Sequence, residues 1–247
     1  MGGISLTKIW LDAGHGGTDP GAVGFIAEKK DTLLYIVEMG RVLVKLGFEV
    51  GYTRTTDNFV SLPDRGKMAN FWGADYFISI HFNAGGGTGI ETYALAVGGK
   101  AQKLADVVQR ELIASTGMAS RGVKFANFEV LRDTSMPAIL IEGGFVDHAG
   151  DVALITSEDW EHKFIQGASK AVCEFTGVTW CDPYKPFVVV PALVDIPEVV
   201  VIPVVVPQAV VIDTDVYLSV RVRTSKVDKL TKDLIGLGFA TKRLELA

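Results

Sequence analysis

Four histidines occur among the 247 residues, and two of them close apolar runs beside glycines. His15 follows KIWLDA in the segment LDAGHGGTDPGA, where Gly14, Gly16 and Gly17 allow a tight turn and close approach to a ligand. His81 ends YFISIH and leads into the polar, glycine-rich FNAGGGTG. Glu142 follows AILI, a run apolar enough for a buried strand, and precedes Gly143 and Gly144. A carboxylate there needs a partner, because burying it unpaired is costly, and water held on a metal is one such partner. Glu28, in FIAEKKDTLL, stands just ahead of a long helical pattern. Two imidazoles and a carboxylate suffice for a catalytic zinc site that leaves the fourth position to water or substrate. His15, Glu28 and His81 would be the ligands. Glu142 would be the base that takes a proton from the activated water and passes it to a leaving amine.

Each residue alone has a plainer role. His15 could cap a surface turn, a strand-end histidine such as His81 is more often structural, and the position of Glu28 by itself favours a helix-dipole role. The equivalence of the two histidines points instead to a shared site, because open α/β sheets bind ligands beyond the carboxyl ends of their strands. A phosphate loop of the form G-x-G-x-x-G fails because Asp19 stands where the third glycine belongs. No H-E-x-x-H helix is present. His148 and His162 read as surface residues.

The elements that must position these groups follow from periodicity. Strand-like runs at 8–13, 48–53, 76–82, 89–95 and 138–145 alternate with helical patterns at 32–47, 62–73 and 100–116, and a last helix falls within 158–176. Gly47 and Gly117 lie just past two helical runs, where a left-handed cap favours glycine. This alternation predicts an α/β fold, an open twisted, mostly parallel sheet flanked by helices.

Residues 186–208, PFVVVPALVDIPEVVVIPVVVPQ, are apolar but broken by Pro191, Pro197, Pro203 and Pro207 and carry Asp195 and Glu198, so they read as a stiffened linker, not a membrane span. Beyond it, 209–247 reads as a small β-α-β module, too small to fold alone. Its helix lines Val227, Leu230, Leu234 and Leu237 along one face. That face needs a cover, and a homodimer through the tail would supply one. The expected organisation is therefore a domain over 1–185, a Val/Pro-rich linker over 186–208 and a module over 209–247.

With 48% hydrophobic and 21% charged residues the chain can bury a core. A net charge of -5 gives no long-range attraction to nucleic acid or to anionic membranes. The opening MGGISLTKIW has no signal-peptide pattern, which implies synthesis in the cytoplasm. There the two cysteines, Cys173 and Cys181, are expected as free thiols.

Five segments, LDAGHGGTDPGAVG, AEKKDTL, YTRTTDNFVSLPDR, WGADYFISIHFNAGGGTGIETY and RGVKFANFEVLRDTSMPAILIEGGFVD, together resemble the type 3 zinc-dependent N-acetylmuramoyl-L-alanine amidases, in that family's order. The resemblance implies His15, Glu28 and His81 on zinc and Glu142 as catalytic acid/base, the set that the strand ends select. It implies hydrolysis of the amide between N-acetylmuramic acid and L-alanine in peptidoglycan, by an endolysin or bacterial lytic amidase reaching the wall after membrane breach. Asn83 and Arg132 resemble residues of the family's substrate groove. The GFIA before Glu28 departs from the family's glycine-containing turn. The tail resembles half of a sporulation-related wall-binding repeat. Two other readings stay open at this level: a non-catalytic wall-binding protein with a structural zinc, and a zinc peptidase acting within the stem peptide.

Overall fold

The computed structural model describes residues 6–184. Along that span run β1 (Lys8–Ala13), α1 (Glu28–Lys45), β2 (Glu49–Tyr52), α2 (Leu62–Trp72), β3 (Tyr76–Asn83), β4 (Ile90–Ala94), α3 (Gly99–Thr116), β5 (Ser120–Phe125), α4 (Glu129–Arg132), β6 (Ala138–Phe145), α5 (Ala149–Ile155) and α6 (Glu158–Thr176). The strands form one six-stranded sheet in the order β2-β1-β3-β6-β4-β5. All neighbouring pairs are parallel except β4 with β6. The mostly parallel α/β fold expected from the alternation of apolar patterns is therefore present, with β4 and β5 running against the other four strands.

Period-two alternation sorts the side chains. Ile9, Leu11 and Ala13 of β1, Ile78, Ile80 and Phe82 of β3, and Ile139 and Ile141 of β6 pack on one face with α1, α3 and α6. Trp10, Phe77, Ala138 and Leu140 point to the opposite face, against residues of α2 and α4. The first face is the main core: Tyr35, Phe164 and Trp160 stack there, and the Tyr35 hydroxyl donates to the Ile155 carbonyl at 2.7 Å. The same alternation puts Asp12, Ser79, His81, Leu140, Glu142 and Glu91 on the second face.

Helix ends behave as their glycines dictate. Gly117 takes a left-handed φ of 70° as the C-cap of α3, and Gly47 one of 91° just past α1. α1 begins at Glu28, four residues ahead of the apolar pattern at 32, so this glutamate lies within its first turn. β5, α4 and α5 are additions to the sequence reading. β5 is SRGVKF, an edge strand with charged, partly exposed positions and no apolar run to announce it.

Cys173 is buried, Cys181 is exposed, and both are free thiols, as expected. His148 is exposed and caps α5, accepting from the Asp151 amide. His162 is half-buried under the Tyr184 ring at 4.7 Å, less open than a surface residue. Among the described residues no helix is long and apolar enough to cross a membrane. The linker, the module over 209–247 and the dimer contact expected from it lie outside the described residues.

Candidate metal centre and active site

β1, β3 and β6 are parallel neighbours, so their carboxyl ends rise at the same edge of the sheet. His81 and Glu142 are register partners on β3 and β6, and Glu142 is in turn opposite Glu91 on β4. A row of His81, Glu142 and Glu91 thus crosses three strands on one face. Gly14 extends the row past the end of β1, where a side chain has no room: a Cβ there would come within 2.3 Å of the His81 ring.

Glu28 reaches this edge from the first turn of α1. Its Oε1 lies 2.8 Å from Nδ1 of His81 and its Oε2 lies 3.0 Å from Nε2 of His15. The two imidazoles meet edge to face, with centroids 4.9 Å apart. One donor atom from each of His15, Glu28 and His81 falls within 4.8 Å of the others, a group that could hold a metal ion. The backbone amides of Ala22 and Phe82 also donate to Glu28, at 2.8 and 3.0 Å, which fixes the carboxylate in place. Gly21 is as constrained as Gly14, because a Cβ there would meet the His15 ring at 2.5 Å and Glu28 Oε2 at 2.6 Å.

The charges of the three groups are coupled. Burial alone would raise the Glu28 carboxyl, yet hydrogen bonds from His15 and His81 outweigh it and hold the group far below its usual range. Burial opposes charge on His15, but Glu28 and Asp19 together leave it raised. Asp19 Oδ2 sits 2.8 Å from His15 Nδ1 and thereby leaves Nε2 directed at Glu28. Sequence reading used Asp19 only to exclude a phosphate loop. Its spacing of four from His15 was the available signal.

Glu142 stands apart from this set. Its Oε2 is buried and has no hydrogen-bond partner among the described residues. Burial pushes its carboxyl well above the ordinary range, and Glu28 and Glu91 push the same way. Glu91, its register partner on β4, is a buried carboxylate in the opposite situation. Its Oε2 lies 2.5 Å from both Arg121 Nε and Lys124 Nζ, and its Oε1 accepts from Tyr93 at 2.7 Å and Asn83 at 2.9 Å. One of two adjacent acids holds two cations and two neutral hydrogen-bond donors, while the Oε2 of the other has no partner among the described residues. A cleft of about 410 Å³ opens beside this carboxylate, bounded by His15 and His81 and walled by Phe59, Leu62, Phe128 and Val130.

The structure brings His15, Glu28, His81 and Glu142 together. The other two residues named from sequence lie elsewhere. The Asn83 amide is committed to Glu91, and Arg132 is exposed, with its guanidinium on Asp133 at 3.0 Å and Asn127 at 3.3 Å. Neither borders the cleft.

A mostly parallel sheet with a two-histidine, one-glutamate cluster at its carboxyl edge defines the class. The chain belongs to the N-acetylmuramoyl-L-alanine amidase family, whose profile matches residues 9–174. It is 40% identical over 166 residues to the sporulation-specific N-acetylmuramoyl-L-alanine amidase of Bacillus subtilis (strain 168), covering 66% of this chain and 65% of that protein. It is 38% identical over 175 residues to the endolysin of Bacillus phage SPP1, covering 67% and 65%. The chain thus spans about two thirds of the length of these curated relatives. Among solved structures it resembles the catalytic domain of CwlV, an N-acetylmuramoyl-L-alanine amidase from Bacillus (Paenibacillus) polymyxa var. colistinus. The TM-score is 0.67 at 33% identity, over 70% of this chain and 100% of that domain.

Proposed function

We propose that this chain is a zinc-dependent N-acetylmuramoyl-L-alanine amidase that hydrolyses the amide between the lactyl group of N-acetylmuramic acid and L-alanine in peptidoglycan. Family membership supports the bond. One observation carries the mechanism: Glu142, one of whose oxygens has no hydrogen-bond partner among the described residues, borders the same cleft as His15 and His81 of the metal-ligand cluster.

His15, Glu28 and His81 would hold the metal, and two imidazoles with one carboxylate are a ligand set suited to zinc. Zinc bound there supplies Lewis acidity that polarises a carbonyl and brings the pKa of a water to about 7. The Glu142 carboxylate accepts the proton of the attacking water as the water oxygen bonds to the lactyl carbonyl carbon. The same carboxyl then delivers that proton to the alanine nitrogen as the C–N bond breaks. The products are a free lactyl carboxylate and a free amine. An environment that raises the proton affinity of Glu142 suits a group that must both take and return a proton. Phe59 and Phe128 give the cleft exposed aromatic walls.

Likeness to a phage endolysin and to a sporulation amidase supports action on the wall after the membrane is breached. For the whole chain we infer a catalytic domain over 1–185, a linker over 186–208 and a wall-binding or dimerising module over 209–247. Residues 1–185 alone should still cleave small soluble muropeptides but attack whole walls less well, and a truncated body that cannot bind zinc refutes this division. Chelation tests the metal: activity should vanish with a chelator and return with added zinc, and active protein free of zinc by elemental analysis contradicts the reading.

A further inference from the structure

The turn that carries His15 rests on two buried arginines that the chemistry above leaves without a role. Arg54, just past β2, donates from Nε to the Ala13 carbonyl at 3.1 Å and from Nη2 to the Gly14 carbonyl at 2.7 Å. Arg65, on α2, donates from Nη1 to the Ala13 carbonyl and from Nη2 to the His15 carbonyl, both at 2.7 Å. Three consecutive carbonyl oxygens, on the segment that ends in a metal-ligand candidate, are thus held by two guanidinium groups. Among the described residues His15 is the non-glycine residue with positive φ, at 61°, a left-handed conformation that L side chains seldom adopt unless their surroundings impose it.

The same two side chains reach the other ligand segments. Arg54 Nη2 also donates to the Lys29 carbonyl at 2.8 Å and to the Thr32 hydroxyl at 3.0 Å, both in the opening turns of the helix that begins with Glu28. Arg65 Nη1 pairs with Asp12 Oδ1 at 2.8 Å, and the other oxygen of Asp12 accepts from Ser79 at 2.6 Å, two residues before His81 on β3. His15, Glu28 and His81 are therefore tied together through Arg54, Arg65 and Asp12 as well as by their own contacts. Two buried cations beside a cluster that accepts a cation oppose its binding, and among the described residues Asp12 is the carboxylate paired with them. Electrostatics does not account for the arrangement. Geometry does, because a guanidinium is a rigid fork that reaches several oxygens at once, as an ammonium cannot.

We propose that Arg54 and Arg65 are positioning residues for the metal centre, holding His15 in the left-handed turn from which its Nε2 meets Glu28. The proposal rests on the metal reading above. Lysine at either position keeps the charge and loses the fork, so Arg54→Lys and Arg65→Lys separate the two explanations. Zinc affinity should be measured by competition with a chelating indicator on the full chain, and melting temperature recorded with and without zinc. We expect each lysine variant to fold and to bind zinc about 10- to 100-fold more weakly, the usual effect of removing a group that orients a ligand. The rise in melting temperature on adding zinc should shrink accordingly. A merely structural arginine would lower both melting temperatures alike and leave affinity unchanged. That result overturns the proposal, as does a variant that fails to fold with and without zinc. Wild-type protein that binds no zinc would instead overturn the metal reading.

Discussion

The two faces of the sheet are built from the same strands and do opposite things. On one, α1, α3 and α6 cover an apolar layer in which Phe82, Phe164 and Ile80 are essentially unexposed. On the other, residues of α2 and the four-residue α4 cover a smaller cluster around Trp10, Phe77 and Leu140, and the rest of that face carries Asp12, His81, Glu91 and Glu142. A thick apolar layer on one side lets the other hold buried charge, an unpartnered carboxylate and a strained histidine. The main apolar core lies on the first face and the candidate site on the second.

The sharpest way to break this division is Glu142→Gln. Amide replaces acid at nearly constant size, so we expect turnover to fall by about 10² to 10⁴, with zinc content and melting temperature nearly unchanged. Near-normal hydrolysis by the variant would make Glu142 structural. Phe164→Ala is the mirror experiment. Its ring packs 5.2 Å from Tyr35 and 5.4 Å from Trp160, and deleting it should cost about 3–5 kcal/mol in denaturant unfolding. The fraction that remains folded should keep its turnover, and a parallel loss of turnover would show that the faces are coupled.

Asp12 sharpens the comparison by testing whether the polar face also contributes to stability. Burial alone would raise its carboxyl, but Arg65 and Ser79 bring it below its ordinary value of 3.8. A carboxyl whose value is lower folded than unfolded contributes stability that is fully present above pH 3.8 and is lost as pH falls through the folded value. Unfolding free energy should therefore fall in acid more steeply for wild type than for Asp12→Asn. The variant should also be weaker at neutral pH by about 3 kcal/mol, since it leaves Arg65 buried without its counter-charge. The smallest effect is expected of Tyr35→Phe, which keeps the ring stack and removes the bond to the Ile155 carbonyl, at about 1 kcal/mol.

Much of this arrangement was legible in the residues. Five strands and four long helices announce themselves by apolar period; His15, His81 and Glu142 stand out at strand ends beside glycines, and Glu28 by its place ahead of a helical pattern. What was not legible has a physical reason in each case. β5 is an edge strand whose Arg121 and Lys124 serve Glu91, so it carries no apolar alternation. α4 spans four residues and α5 seven, too short for a helical period to show. Asn83 and Arg132 were named by resemblance, and that reading does not reveal that nearer partners hold both side chains. Asp12 and Glu91 did leave a trace, since each is a carboxylate inside an apolar run and had to find a partner. Which partner it finds depends on Arg65 and Arg121, distant in sequence and brought close only by the fold.

The central claim concerns one bond. Purified sacculi digested with the full chain and zinc should release stem peptides with a new free N-terminal L-alanine and leave glycan strands whose muramic acids carry free lactyl carboxylates. Mass spectrometry of the fragments, with Glu142→Gln as the control, reads both ends of the cut directly. New termini within the stem peptide, or intact amides after digestion with zinc-loaded protein, would contradict the account.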